Sequence, residues 1–194
     1  MRTEIEHHQV CSGGSSKEKV MDQGSEFLRS QVRNVLLQHG TFLESLENHE
    51  NQADDSRFRD LCARHIPHMR LHQRMLEEYR SHLGEHPGIG GRIVGSAIGV
   101  VRNLADAAVA DDYTRLIGDI VMARQSEDAF KTFREAGKML GNRTLQEIGE
   151  IGERHHDRYV KEANRLVQHM FVERVQGVDG TRRASVEAHV DPAT

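Results

Sequence analysis

Apolar residues recur every three or four positions through four stretches of the chain, and this spacing predicts four amphipathic α-helices. The predicted helices, A to D, span residues 25–49, 56–83, 111–140 and 144–172. Their apolar stripes include Leu28, Val32, Phe42 and Leu46 on A, Phe58, Leu61, Met69 and Leu76 on B, Leu116, Ile120, Phe130 and Phe133 on C, and Leu145, Ile148, Ile151 and Tyr159 on D.

The lengths of the connections predict how these helices are joined. Short polar loops, at residues 51–56 and at Gly141–Asn142, make A–B and C–D antiparallel hairpins. The B–C connection is long, and its part 92–110 is typical of a short helix of small residues. Pro67 lies inside B, where it should kink the helix or remove a hydrogen bond. The sequence therefore predicts an all-α, antiparallel ferritin-like four-helix bundle with a long B–C crossover that contains a short extra helix.

Composition sets the boundaries of this bundle and its class of partners. Residues 1–24 and 176–194 lack periodicity and are predicted to be flexible tails around a bundle at 25–175. A net charge of -4 gives no reason to expect nucleic acid or an anionic membrane as a partner. With two cysteines, no signal-like apolar run and no stretch that could cross a membrane, a reducing, cytoplasmic location is expected.

Polar residues interrupt the apolar stripes in the middle of each helix, in a chain with an unusual content of 13 histidines. These interruptions lie about 14 residues, or roughly 21 Å, from the hairpin loops, so in paired hairpins they meet at mid-bundle. A buried imidazole or carboxylate without a partner costs several kcal/mol, and metal coordination removes that cost. The predicted metal ligands are His39, His65, His68, His72, Glu127, Glu153, His155 and His156.

Simpler interpretations of these residues remain open. His68 and His72 share one helix face and could bind an ion by themselves. Glu153 and His156 have the Glu-x-x-His spacing of di-iron helices, but they lie one residue off the predicted core face and suit a solvated pair. A histidine on an apolar face is also commonly a satisfied, partly exposed side chain.

Several diffuse patterns resemble the YciE/YciF family of ferritin-like, stress-associated bacterial proteins over about residues 30–170. They are the helix B ending at 76–84, the segment 107–120 that opens helix C, the segment 133–141, and the spacing to 150–166. The resemblance implies a carboxylate-rich di-iron site. This chain departs from it, because His39 falls near the helix A glutamate, and Ala123 or Ser126 falls where helix C should offer a carboxylate.

Three functions follow from these observations. The first is a ferritin-like, stress-related metal-binding protein, most simply an iron protein with one or two metal ions. Zn or another transition metal is the alternative, because imidazoles suit several ions. The second is a non-catalytic bundle that has lost the metal and acts as an interaction or stress protein, expected to be a homodimer. The third is a helical sensor with Cys11 as a thiol on its tail. The sequence does not decide whether the protein is an enzyme.

Overall fold

The computed structural model describes the backbone of residues 16–84 and 111–187, and the side chains of 23–84 and 111–177. Within these ranges the chain is all-α and contains no strand, which confirms the predicted fold class. None of the described helices carries an apolar stretch long enough to cross a membrane. The helices are α1 at Ser16–Gln52, α2 at Ser56–His82, α3 at Asp112–Leu140 and α4 at Arg143–Glu187.

The first and the last helix of the chain are longer than predicted. Helix α1 begins at Ser16 and not near residue 25, and α4 continues to Glu187 and does not end near residue 172. Gly24 and Gly177 lie inside these two helices, because a glycine in a helix interior costs only about 1 kcal/mol and does not end the helix. The extra helix predicted at 92–110 lies outside the described residues, and the division into tails and bundle stays a prediction.

Local polar contacts define the helix ends where loops were predicted. The carboxylates of Asp55 and Asp111 cap α2 and α3 by accepting hydrogen bonds from backbone N–H groups. Gly141 ends α3 in the left-handed conformation, with φ of 64°, which glycine adopts without strain. The side chain of Asn142 caps α4 and donates to the Tyr79 hydroxyl at 2.7 Å, so the α3–α4 turn is held against α2. Helix α2 continues through Pro67.

Helices α3 and α4 form the closest pair, because three glycines remove the side chains between them. A Cβ at Gly137 would overlap Gln146, one at Gly149 would overlap the backbone of Phe130 and Arg134, and one at Gly152 would overlap the Phe130 ring. Residue numbers on α3 decrease as the numbers of their contact partners on α4 increase, as expected for helices joined by a tight turn. Helix α1 contacts α2 and α3, and α4 also contacts α2.

The core is divided into two apolar clusters. The larger one lies toward the α1–α2 loop and the smaller one toward the α3–α4 turn. Three buried histidines lie between them along the chain: His39 between Leu36 and Phe42, His72 between Met69 and Leu76, and His156 between Ile148 and Tyr159.

One buried carboxylate connects α1 to α3 on the side of the larger cluster. Asp119 is fully buried, accepts a hydrogen bond from Ser45 Oγ at 2.8 Å, and lies 2.8 Å from His49 Nδ1. Burial of a carboxylate requires such partners, because removal from water is costly when the charge is left unpaired. This contact therefore holds the register of α1 against α3.

The glycine contacts predict opposite effects for two matched substitutions on neighbouring helices. Gly149→Ala should destabilise the fold by about 2–3 kcal/mol, because the new Cβ meets backbone atoms of α3 that cannot move aside. Gly118→Ala is the control, since nothing lies within 4 Å of the added Cβ, and it should stabilise by about 0.5–1 kcal/mol. Denaturant unfolding measures both; equal effects would contradict the close α3–α4 contact.

Candidate metal centre

Three helices bring one buried imidazole each to the middle of the bundle. His39 on α1, His72 on α2 and His156 on α4 are between 0% and 1% exposed. One ring nitrogen of each lies within 4.8 Å of a ring nitrogen of the other two. The described part of the chain therefore contains a group of three histidines that could hold a metal ion, which is the core of the sequence prediction.

Backbone carbonyls determine the protonation of two of these rings. His39 Nε2 donates to the carbonyl of Met69 at 3.0 Å, and His156 Nδ1 donates to that of Gly152 at 2.7 Å. Because a carbonyl only accepts, the donating nitrogens carry the protons. His39 Nδ1 and His156 Nε2 then keep their lone pairs, and neither has a hydrogen-bond partner.

The third ring is held by another histidine. His72 Nε2 lies 2.9 Å from His155 Nδ1, and the two nitrogens share one proton between them. When His72 donates, its Nδ1 keeps a lone pair, and that atom is also buried without a partner. A hydrogen bond at one nitrogen that leaves the other free for a metal is the usual arrangement of histidine ligands.

Aromatic rings enclose the group. The Phe130 ring lies 5.1 Å from that of His156 and 5.6 Å from that of His39, and the Phe42 ring lies 5.8 Å from that of His156. Helix α3 adds one polar residue to this level, Ser126, which lies between Ala123 and Phe130 in the chain. It is 1% exposed, and its hydroxyl has no partner. The two phenylalanine rings in contact with the imidazoles are therefore apolar, and Ser126 adds a hydroxyl on α3 at this level.

Burial keeps these imidazoles neutral. Burial lowers the pKa of His39 to about 4 and, together with the neighbouring His39, that of His156 to about 3. The pKa of His72 is strongly lowered by burial and by the adjacent histidines. Because only a neutral imidazole offers a lone pair to a metal, the group is ready to bind an ion at neutral and at mildly acidic pH.

The other predicted histidines lie beside this group, between α2 and α4. The rings of His68 and His155 are stacked at 4.2 Å between centroids, and both side chains are half-buried. His65 is buried, and its Nε2 lies 3.2 Å from the carboxylate of Glu162. These three histidines form a second group, which is closer to solvent than the first.

The predicted carboxylate ligands lie in ion pairs elsewhere. Glu127 pairs with Arg124 one turn before it on α3, and Glu153 pairs with Arg134 across the α3–α4 contact. Neither belongs to the group of three histidines. Helix α3 therefore brings a phenylalanine and a serine to the centre, where the ferritin-like resemblance implies a carboxylate.

The core face of α4 differs by one position from the predicted one. The stripe through Ile148 and Ile151 pointed to His155, but His156 is fully buried and His155 is half-buried. The physical reason is the close approach of α3 at Gly149 and Gly152, which moves the buried face of α4 onto the line that ends at His156. Glycine carries no hydrophobic signal, so the stripe of large residues misplaced this face.

Sequence reasoning missed Asp119, and it placed Ser126 near the ligand position of helix C without counting it among the predicted ligands. Both lie on the buried face of α3, at intervals of three or four from Leu116, Ala123 and Phe130. This spacing could have placed both residues on the buried face. However, Ile120 follows Asp119 and Glu127 follows Ser126, and these neighbours carry the stronger apolar and ligand signals.

Comparison of the chain with protein-family models, curated proteins and solved structures finds no match. The function is therefore inferred from the geometry of the histidines.

The lowered pKa values predict a loss of stability in acid for the metal-free protein. The unfolded chain protonates its histidines near pH 6.5, whereas His39 and His156 protonate only near pH 4 and 3, so stability falls as pH drops below 6.5. The expected loss is about 2 kcal/mol per group between pH 6.5 and 5. Denaturant unfolding at several pH values measures it, and the His39→Leu, His156→Leu double variant should show a shallower dependence. Equal slopes would contradict burial of neutral rings.

Proposed function

We propose that the protein binds one divalent transition-metal ion at mid-bundle through His39 Nδ1, His72 Nδ1 and His156 Nε2. One observation carries this proposal: a ring nitrogen of each of three buried histidines lies within 4.8 Å of the other two, each ring has one buried nitrogen without a hydrogen-bond partner, and the opposite nitrogen of each ring is held by a hydrogen bond. Unsatisfied buried acceptors cost about 1–3 kcal/mol each, and an ion satisfies all three at once.

The ligand set favours a mononuclear centre. Among the described residues, no carboxylate joins the three imidazoles, so the bridging groups of a di-iron site are missing from this group. Neutral imidazoles suit Zn²⁺, Co²⁺, Cu²⁺ or Fe²⁺, and Zn²⁺ is the best match for a small three-histidine site. Nitrogens on a tetrahedral ion lie about 3.3–3.5 Å apart, so the three nitrogens, which lie within 4.8 Å of one another, would move closer together on binding.

The surrounding residues define what such a centre would do. Three protein ligands leave a coordination position open, and a zinc ion in such a site lowers the pKa of a bound water toward neutrality. The Gly152 carbonyl and His155 orient two of the ligands, and the Phe42 and Phe130 rings exclude bulk water. Ser126 offers a buried hydroxyl at the same level of the bundle.

The contacts between helices support a ferritin-like topology for this bundle. Three contacts between α2 and α4 show a common direction: residue numbers increase along α2 while those of the partners decrease along α4. The pairs are Arg57 with Glu173, His65 with Glu162 and His72 with His155. Between α1 and α3 they are Gln38 with Gln125 and Ser45 with Asp119. With two hairpins, α2 and α3 then run in the same direction, and their connection must cross the bundle. Membership of the YciE/YciF family and a role in stress are part of this proposal.

A bundle without metal is the second candidate, and the ring contacts favour it. The Phe130 ring stacks on His156, and the rings of His39 and His72 lie 5.4 Å apart, so the imidazoles already fill the core as aromatic side chains. Under this alternative, leucine at His39 and His156 stabilises the protein, because it removes buried polar atoms. Added metal then leaves the unfolding temperature unchanged.

Metal titration of protein without a histidine tag tests the proposal. Co²⁺ and Zn²⁺ should bind the wild type at one tight equivalent and raise the free energy of unfolding, by about 2.7 kcal/mol at a hundredfold excess over the dissociation constant. His156→Leu should weaken binding about 100-fold or more, because one ligand is lost. His82→Gln, at an exposed position on α2, is the matched control and should bind as the wild type does. Substoichiometric binding by folded wild type would overturn the proposal.

The lowered pKa values also predict an unusual pH dependence of metal affinity. Ordinary histidine sites lose affinity below pH 6.5, because protons compete for the imidazoles. Here His39 and His156 stay neutral down to about pH 4 and 3, so the dissociation constant should change less than about threefold between pH 7.5 and 5.5. Competition titrations with a chelator of known pH dependence measure this. A steep loss of affinity below pH 6.5 would show that the rings are not buried as neutral groups.

A further inference from the structure

A continuous line of imidazoles connects the buried centre to the surface between α2 and α4. From the outside it runs from His68 to His155, whose rings are 4.2 Å apart, and on to His72 at 5.0 Å. His72 in turn lies 5.2 Å from His156 and 5.4 Å from His39, again between ring centroids. The two outer rings are half-buried and the three inner rings are fully buried, so the line passes from solvent to the core.

The outer rings have coordinating capacity that the protein itself does not use. The Nδ1 atoms of His65 and His68 are buried and have no hydrogen-bond partner. The nearest carboxylate, Glu162, is occupied by His65, Arg64 and Arg158. A site of imidazoles beside arginines disfavours hard cations such as Mg²⁺ and Ca²⁺, and it retains ions that gain most from nitrogen ligands.

A single hydrogen bond couples the outer rings to the inner ones. When His72 Nε2 donates to His155 Nδ1, His72 Nδ1 holds a lone pair, and the proton of neutral His155 lies on its Nε2. When His155 Nδ1 donates instead, His155 Nε2 holds a lone pair and His72 Nδ1 carries the proton. The two nitrogens that face away from this bond therefore cannot both be free to bind a metal while both rings are neutral.

On the basis of the proposed function, we propose that His68 and His155 form an outer loading site for the same transition-metal ion, and that occupancy of the outer site excludes occupancy of the inner one. In the outer state, His155 Nε2 and a ring nitrogen of His68 bind the ion, and water completes its coordination.

Passage to the inner centre moves one proton along the shared bond, from His155 Nδ1 to His72 Nε2. His72 loses its Nδ1 proton and His155 gains one on Nε2, so the two rings bind the same number of protons before and after. The proton displaced from His72 Nδ1 is released to solvent, and the proton gained by His155 Nε2 is taken from solvent. The proton in the shared bond moves inward with the ion, so the core gains only the charge of the ion.

The rate of Co²⁺ uptake tests this loading role. Stopped-flow absorbance of full-length protein without a tag follows the ligand-field bands of bound Co²⁺ in the wild type, in His68→Gln and in the control His82→Gln. His68→Gln should reach the same final spectrum and affinity as the wild type but load about tenfold more slowly. The control should load at the wild-type rate. Wild-type loading by His68→Gln, at equal folding by circular dichroism, would overturn the outer site.

The exclusion is tested by stoichiometry. The wild type should bind one tight Co²⁺ and no second ion at the outer site, whereas His156→Leu should bind one weaker Co²⁺ that the His68→Gln, His156→Leu double variant loses. Simultaneous binding of two ions by the wild type, with the second dependent on His68, would overturn the exclusion.

The two levels of the proposal fail in different ways. If the wild type shows no tight site, the buried centre is wrong, and the loading role is overturned with it. If the tight site is present but uptake does not depend on His68, only the loading role is wrong.

Discussion

The layer of imidazoles between two apolar clusters is the constraint on which the rest of the bundle depends. His39, His72 and His156 occupy positions where an uninterrupted core would place aliphatic side chains, and each keeps a buried lone pair. The hydrogen bonds of His39 to Met69 and of His72 to His155 join α1, α2 and α4 at one level, and the bond from His156 to Gly152 fixes its ring within α4. Because the hydrogen bonds are directional, they restrict the relative rotation of α1, α2 and α4 more narrowly than apolar contact alone would.

Much of this arrangement could be predicted from local patterns. The four helices, the capping residues and the level of the polar layer all follow from spacing within single helices, which explains why His39 and His72 were identified. The choice between His155 and His156 depended instead on how closely α3 approaches α4, and that distance is set by Gly149 and Gly152. A glycine adds nothing to a pattern of large apolar residues, although these two glycines determine which face of α4 is buried.

Helix α3 was harder to predict, because the partners of its buried carboxylate lie far away in the chain. Asp119 is stable in the core only with Ser45 and His49, which lie more than 65 positions earlier in the chain. No spacing within α3 reveals those partners. Ile120, next to Asp119, carries the stronger apolar signal, and Glu127 is the more obvious ligand than Ser126. Pairing with a distant segment decided the position of Asp119, whereas the Ser126 hydroxyl is buried without a partner.

Gly152 determines both the packing of α3 against α4 and the orientation of His156. Its missing side chain admits the Phe130 ring, and its carbonyl holds the proton of His156. A change in backbone at this one residue would move an aromatic wall and a ligand together. The Phe130 side chain, across the interface, can therefore be changed with less effect on His156 than the backbone of the helix that carries this histidine.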